Sequence, residues 1–493
     1  MSGQINITDW HSDYAHRTAQ WAKIRDVIDG EDKVKDQGAT YLPKPSGMAD
    51  ANQYSAYKTR TSFFPVAERT MRGLSGMVFR HEPVLEIPNR MEPMRESLST
   101  DGYSFEVLAE EVVREVLTVG RYGILVDFPV HNTASTAMPH FATYFAEDII
   151  NWEQAFVEGK KVLTRIVLRD DIDNTFGDDT VQYLELILNE DLQYEVRKWQ
   201  VQVSEGGAVG EIGTTKTFIM TAQFVPTVNG APLSRIPFVF INTFDMRPDI
   251  EKPPFLDLVN VNLGHYRNSA DYEHALYLTA QPTPWIAGQL DAGNKPNTIG
   301  SGTIWYLPQD AQAGMLEFTG QGVGAQRQAM IDKEDRMASL GARMIKDQAR
   351  GNETAETARL HGRGETSLLT NAVNMAQAGM EKAFRIAAEW VSTNPDDVTV
   401  KLNKDFIETR MSSEDLGAIV KAWQGGAISR TTMHENLQTG EIMPPDRTVE
   451  EEEDMIEEEG GGLLNELIPP APAAAPAPGA EPGAGTEETQ DDS

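Results

Sequence analysis

Asp170, Asp171, Asp173, Asp178 and Asp179 offer oxygen ligands of the kind that hold a hard cation such as Ca²⁺. Their spacing departs from the EF-hand pattern, and they lie between two β-rich runs, so they read as a solvated turn. His265 and His274 are nine residues apart on a predicted helix, which puts them on opposite sides, where one metal cannot join them. There is no HExxH. The run Gly320 to Gly324 (GQGVG) precedes a helix, where a phosphate-cradling loop would sit. It matches neither GxGxxG nor GxxxxGK[ST], and it reads as a joint at the helix base. Gly73 to Gly76 (GLSG) is one residue short of a nucleophile elbow. No acid, base and nucleophile converge elsewhere, so neither catalysis, a cofactor nor a metal is expected. The remaining chemistry is charge: Arg343, Lys346, Arg350, Arg359 and Arg363 stand against Asp347, Glu353 and Glu356, a local balance of +2. This stretch is either a solvated face or a contact for phosphates.

The elements that position these residues are centred on Pro253 to Val391. Behind Pro253 and Pro254, Leu256, Val259, Leu263, Tyr266, Ala270, His274 and Tyr277 recur at gaps of three and four, predicting a helix of roughly 36 Å. Pro282 and Pro284 stop it. Short apolar runs at 285–287, 303–307 and 315–318 predict a small β insert. A second helix is expected over 325–348, with Met330, Met337, Leu340 and Met344 on one side. A third carries Leu369, Val373, Ala376, Met380, Phe384, Ala387 and Val391.

Upstream, helices are predicted over 13–29, 54–79 with a kink or restart at Pro65, and 105–119 with Ser104 as N-cap. The run 122–128 reads as a buried strand, and strands dominate 141–242, so the class is α+β. Helices are predicted from Ser412 to Trp423 and from Ile428 on, before a disordered acidic and Pro/Ala/Gly-rich tail.

The order helix, β insert, helix, a break containing Thr354-Ala355-Glu356-Thr357-Ala358, and a long amphipathic helix resembles the stem, clip, stem, tunnel loop and tunnel helix of tailed-bacteriophage portal proteins. Three further stretches resemble one branch of that family: Tyr41-Leu42-Pro43-Lys44 with 54–83 ending GMVFRHEP, the run Gly120 to Pro129 (GRYGILVDFP), and His265 to Ala275 (HYRNSADYEHA). The likeness extends over about residues 10–445. It implies an α+β wing (1–252), a first stem helix (253–284), a clip (285–324), a second stem helix (325–350), a tunnel loop and helix (351–395), a crown (396–447) and the tail (448–493). It further implies a non-enzymatic head-tail connector, a ring of about twelve copies at one capsid vertex of the virion, assembled in the host cytoplasm. Double-stranded DNA would pass through non-specifically during packaging and ejection. The terminase large subunit, the major capsid protein or scaffold, and tail adaptors would be its partners. In that setting the five basic residues become candidate channel contacts, and the third-helix stripe a seam between ring neighbours. The rival readings are a metal-dependent hydrolase built on the acidic turns, and another capsid or baseplate component.

Composition speaks against a tight DNA binder. The formal charge is −32, and Glu450 to Ser493 holds fourteen acids and no base, leaving −18 for the rest. Such a surface repels phosphate and lets DNA pass without adhering. There is no cysteine, which excludes disulfides and thiolate chemistry. Neither a signal-like start nor an apolar run of eighteen residues is present, so a soluble chain without membrane contact is expected.

Overall fold

The computed structural model describes residues 6–458 except 49, 100–101, 129–137, 158, 173–179, 206–213, 280–282, 290–297, 299, 301, 317–320, 346–366, 407–412, 440–441 and 445–446. The protein is α+β, and it divides into a first unit, Met1–Phe406, and a second, Ile407–Ser493.

The first unit opens with α1 (Ser12–Asp29), α2 (Glu31–Asp36), α3 (Ala51–Arg60) and α4 (Val66–Val78). The helix predicted over 54–79 is therefore two. The break at Thr61–Pro65 is held by Asn262, fully buried, whose Nδ2 donates to Phe64 O and whose Oδ1 accepts from Ala67 N. One side chain thus satisfies the backbone groups that the break releases. Strand β1 (Val84–Glu86) precedes α5 (Phe105–Thr118), which starts directly after Ser104, although the Ser104 side chain makes no capping bond.

Gly120 follows with φ +84, and β2 (Arg121–Asp127) is buried along nearly its whole length. It is the middle strand of an antiparallel sheet, between β3 (His140–Phe145) and, from later in the chain, Phe238–Asn242. Strands β4 (Ile149–Val157), β5 (Lys160–Ile172), β6 (Thr180–Leu188), β7 (Tyr194–Glu205) and β8 (Thr214–Phe224) form a second antiparallel sheet in sequence order. Its connections are hairpins, which need only short links between antiparallel strands. The hairpin β9 (Thr227–Val228) and β10 (Ala231–Pro232) leads into β11 (Phe238–Asn242).

Then come α6 (Leu256–Thr279), the ribbon of β12 (Thr283–Ala287) and β13 (Gln312–Leu316), α7 (Gln321–Ile345) and α8 (Leu368–Trp390). Two expectations change here. Residues 303–307 form no strand, having no partner to pair with among the described residues. Residues 321–324 are the first turn of α7 rather than a joint, so their glycines sit inside a helix. Strand β14 (Thr399–Lys401) returns to pair with β1.

The third-helix stripe is also corrected. Leu369, Val373, Ala376, Met380, Phe384, Ala387 and Val391 are all buried within the chain's own core, not along a ring seam. The β2–β11 sheet and α5 already supply the opposing apolar face. Phe384 meets Phe105 and Phe141 edge-on at 5.9 and 5.0 Å, and a Cβ on Gly379 would sit 2.5 Å from Ile241 Cγ1.

The second unit contains α9 (Ser413–Gln424), α10 (Arg430–Thr439) and α11 (Val449–Glu458). Ser429 Oγ accepts from Thr432 N and caps α10. Helix α11 overturns the expectation that disorder begins at Thr448. Thr448 Oγ1 accepts from Glu451 N, and the Glu451 carboxylate accepts from Thr448 N, a reciprocal capping box that starts the helix despite its acidic run. Glu450, Glu451 and Glu452 in its first turn also suit the helix N-terminus. The rest of the tail lies outside the described residues.

Candidate functional site

The central hairpin is rooted where Pro253 and Pro254 meet the end of α5. A side chain at Gly120 would place its Cβ 2.9 Å from Pro254 Cδ, so glycine permits the close approach, and Phe255 N donates to Thr118 O. From there α6 buries Leu258, Val259, Asn262, Leu263, Tyr266 and Ala270.

Helix α7 returns antiparallel to α6. His265 Nε2 lies 3.1 Å from Glu334 Oε1, while Lys333 lies across Gly264. The register of that pair continues into the ribbon, where Thr283 opposes Leu316 and Ala287 opposes Gln312, all equidistant from the hairpin's midpoint. The two helices and the ribbon are therefore one continuous antiparallel arm. Gly314, directly opposite Trp285, lets the indole lie flat across it, since a Cβ at this position would stand only 3.1 Å from the ring.

Burial falls away along the arm. Tyr57 Oη donates to Asp271 Oδ1 at 2.7 Å, and the Arg60 guanidinium lies 4.0 Å from the Tyr277 ring. Burial raises the Tyr57 pKa, with the Asp271 hydrogen bond adding to it; burial and then Arg60 lower that of His274. Beyond this point Leu276, Tyr277, Leu278, Trp285, Met315 and Leu316 are exposed, and Ile304 and Tyr306 reach 76% and 85%. Along the 25-residue α7, Met337 and Met344 are buried, whereas Met330 and Leu340 are half-buried. Both outer edges of the two-stranded ribbon are unpaired among the described residues. A two-stranded ribbon with apolar faces and free edges is marginal alone and suited to covering by another chain.

Of the five basic candidates, Arg343 is exposed in the last turn of α7, where a cation suits the helix C-terminus. It borders a groove of about 280 Å³ with Asp257 and Phe244. Lys346, Arg350, Arg359 and Arg363 lie outside the described residues. His265 and His274 do not converge: His265 faces Glu334, and His274 stands edge-on to Tyr57 at 5.4 Å. Of the acidic turn, 173–179 lies outside the described residues. Among the described residues no cluster of three or more His, Asp or Glu could hold a metal ion, and no helix is long and apolar enough to cross a membrane.

The exposed tip is the feature that sequence reasoning missed. Apolar runs at Trp285 and Met315 signalled strands, but a strand signal carries no information on whether its apolar face is covered within one chain.

A family profile described as "Domain of unknown function (DUF4055)" matches residues 254–391, which span α6 to α8. No curated protein matches the chain. Among solved structures, a chain of "Neck of native GTA particle computed with C12 symmetry" is similar at 11% identity and a TM-score of 0.38, over 80% of this chain and 95% of that one. A chain of "Virion of native gene transfer agent (GTA) particle" is similar at 12% identity and a TM-score of 0.35, over 82% and 98%.

Proposed function

We propose that this chain is the subunit of a portal-like ring in a tailed phage or phage-like particle, with the arm as its assembly surface. The observation that carries the reading is the apolar tip of an otherwise rooted hairpin. Ile304, Tyr306 and Leu316 have no partner to cover them within the described residues, and a neighbouring copy of the same arm supplies equivalent groups. The order of elements and the motifs at 41–44, 120–129 and 265–275 support the same reading through their resemblance to portal proteins. Copy number near twelve, passage of double-stranded DNA, and docking of terminase, capsid or scaffold and tail adaptors are parts of this proposal. The role it assigns to the acidic surface is to prevent DNA from adhering.

Ile304→Ser, Tyr306→Ser and Leu316→Ser combined should break rings into smaller species on sedimentation velocity. Each fully covered side chain of this size contributes about 1.5–3 kcal/mol. Thermal stability of the subunit should change little, because all three are exposed in the single chain. Unaltered rings would sink the assignment of the arm.

For the basic stretch, the proposal is transient phosphate contact by Arg350, Arg359 and Arg363. Replacing all three with Gln should leave rings intact and change packaging rate or DNA retention, with an effect that shrinks at high salt. Parent-like packaging and retention would show these arginines to be solvated only.

A further inference from the structure

Away from the arm, a groove of about 400 Å³ opens between α8, β11 and the β4–β5 hairpin. Ile236, Phe238 and Phe240 form its floor, none more than 6% exposed, and Ile386 closes one side. Its rim carries Arg235, Lys382 and Arg385, three cations in a chain of charge −32. Two are paired: Arg235 with Glu389 at 2.5 Å and Arg385 with Glu381 at 2.6 Å. Lys382 makes no hydrogen bond or ion pair with the described residues. The residue is exposed at the rim, and the buried part of its side chain, and then Arg235, push its pKa down with no carboxylate paired to it among the described residues.

A second cation, with no direct ion pair among the described residues, lies beneath the floor. Arg121 is 1% exposed, stacked 4.5 Å from the Trp152 ring and 4.8 Å from that of Phe240. One amino group donates to Pro248 O at 2.7 Å, while Nε and the other amino group have no acceptor among the described residues. Burial lowers its pKa to about 9 against the pull of Asp249, Asp13 and Asp245. Phe240 and Pro248 both line the groove, so this charge sits one layer below it. An unpaired buried cation is costly, and an anion brought nearby offsets that cost.

We propose that the groove binds a peptide segment of a partner protein in which a carboxylate side chain is flanked by aliphatic residues. The carboxylate pairs with Lys382, and the aliphatic groups cover the half-buried Val162, Leu163 and Met246 that line the groove above its floor. The cavity lies within the range of about 300–1,000 Å³ typical of ligand sites. A nucleic-acid backbone fits less well: it has nothing to lay on an apolar floor, and the chain's net charge repels a polyanion.

The test is fluorescence polarisation with the full chain and a labelled Ala-Leu-Glu-Leu-Leu-Ala peptide at low ionic strength. Saturable binding is expected. Glutamine in place of the peptide's glutamate, or Lys382→Gln in the protein, should each weaken it at least about fivefold, and the two together no further. Lys252→Gln, at a surface lysine outside the groove, should leave binding unchanged. Lys382→Gln should not shift the melting temperature, since the ammonium has no partner to lose. No saturation up to about 1 mM, equal affinity for the two peptides, equal loss in Lys252→Gln, or displacement by a DNA duplex at lower concentration than by unlabelled peptide would each overturn the proposal.

Discussion

Phe384→Ala is expected to destabilise the subunit by about 3–5 kcal/mol, the cost of truncating a fully buried aromatic side chain. The residue is 0% exposed, and its ring joins α8 to Phe105 of α5 and Phe141 of β3. Losing it removes the area term and two edge-on aromatic contacts, and the surrounding residues cannot collapse freely. Gly379 is already pressed against Ile241 one turn earlier. Phe384→Leu, which keeps most of the volume, should recover more than half of the loss. The variant also separates two roles for the helix stripe. A core stripe predicts a large fall in melting temperature of the dissociated subunit. A ring seam predicts lost assembly with an unchanged melting temperature, and that outcome would reverse the assignment made from burial.

Arg25→Met should be comparably damaging, because it orphans a buried carboxylate rather than removing a surface ion pair. Arg25 Nη1 and Nη2 donate to Glu115 Oε1 and Oε2 at 2.6 and 2.7 Å, and Nε donates to Glu147 Oε1 at 2.9 Å. Glu115 is 7% exposed, so breaking the pair costs about 3–5 kcal/mol. Burial works against the charge of Arg25, but Glu115 and Glu147 together outweigh it and raise its pKa. At Glu115, burial raises the carboxyl and Arg25 opposes that rise. A carboxyl whose folded pKa lies above its unfolded value binds protons more tightly when folded. Its favourable contribution is present at low pH and is lost as pH rises through the folded value. Without Arg25 that folded value rises further, so the deficit of Arg25→Met should widen from about pH 5 to pH 8. Adding Glu115→Gln should recover much of the loss and flatten the pH dependence. A deficit independent of pH, unrelieved by Glu115→Gln, would mean that lost packing against the Phe145 ring dominates.

Helix periodicity made α1, α5, α6 and α8 legible within a residue or two, because each places one apolar stripe against a core. Strand β2 was legible because its short run lacks polar alternation, the pattern of a strand covered on both faces. What periodicity does not encode is the identity of the covering surface. The α8 stripe therefore looked free for a neighbour when α5 and β11 cover it, while the tip residues looked like strand cores when they are exposed. Asn262 was invisible as the link across the α3–α4 break, since its two bonds reach nearly two hundred residues back. The Thr448–Glu451 box, by contrast, was readable as a Thr followed three residues later by Glu, and the surrounding run of acids masked it. The groove under Lys382 depends on Leu163, Phe240 and Ile386 meeting from three separate segments, for which no local spacing exists.

We propose that this chain closes into a ring through its arm. Native mass spectrometry of the purified full-length chain, with averaged electron-microscopy views down the particle axis, tests it most directly. The expected result is one closed species near twelve copies, with rotational symmetry and an open centre wide enough for a DNA duplex. A homogeneous monomer at micromolar concentration across assembly salt conditions, or an open filament with no closed symmetry, would contradict it.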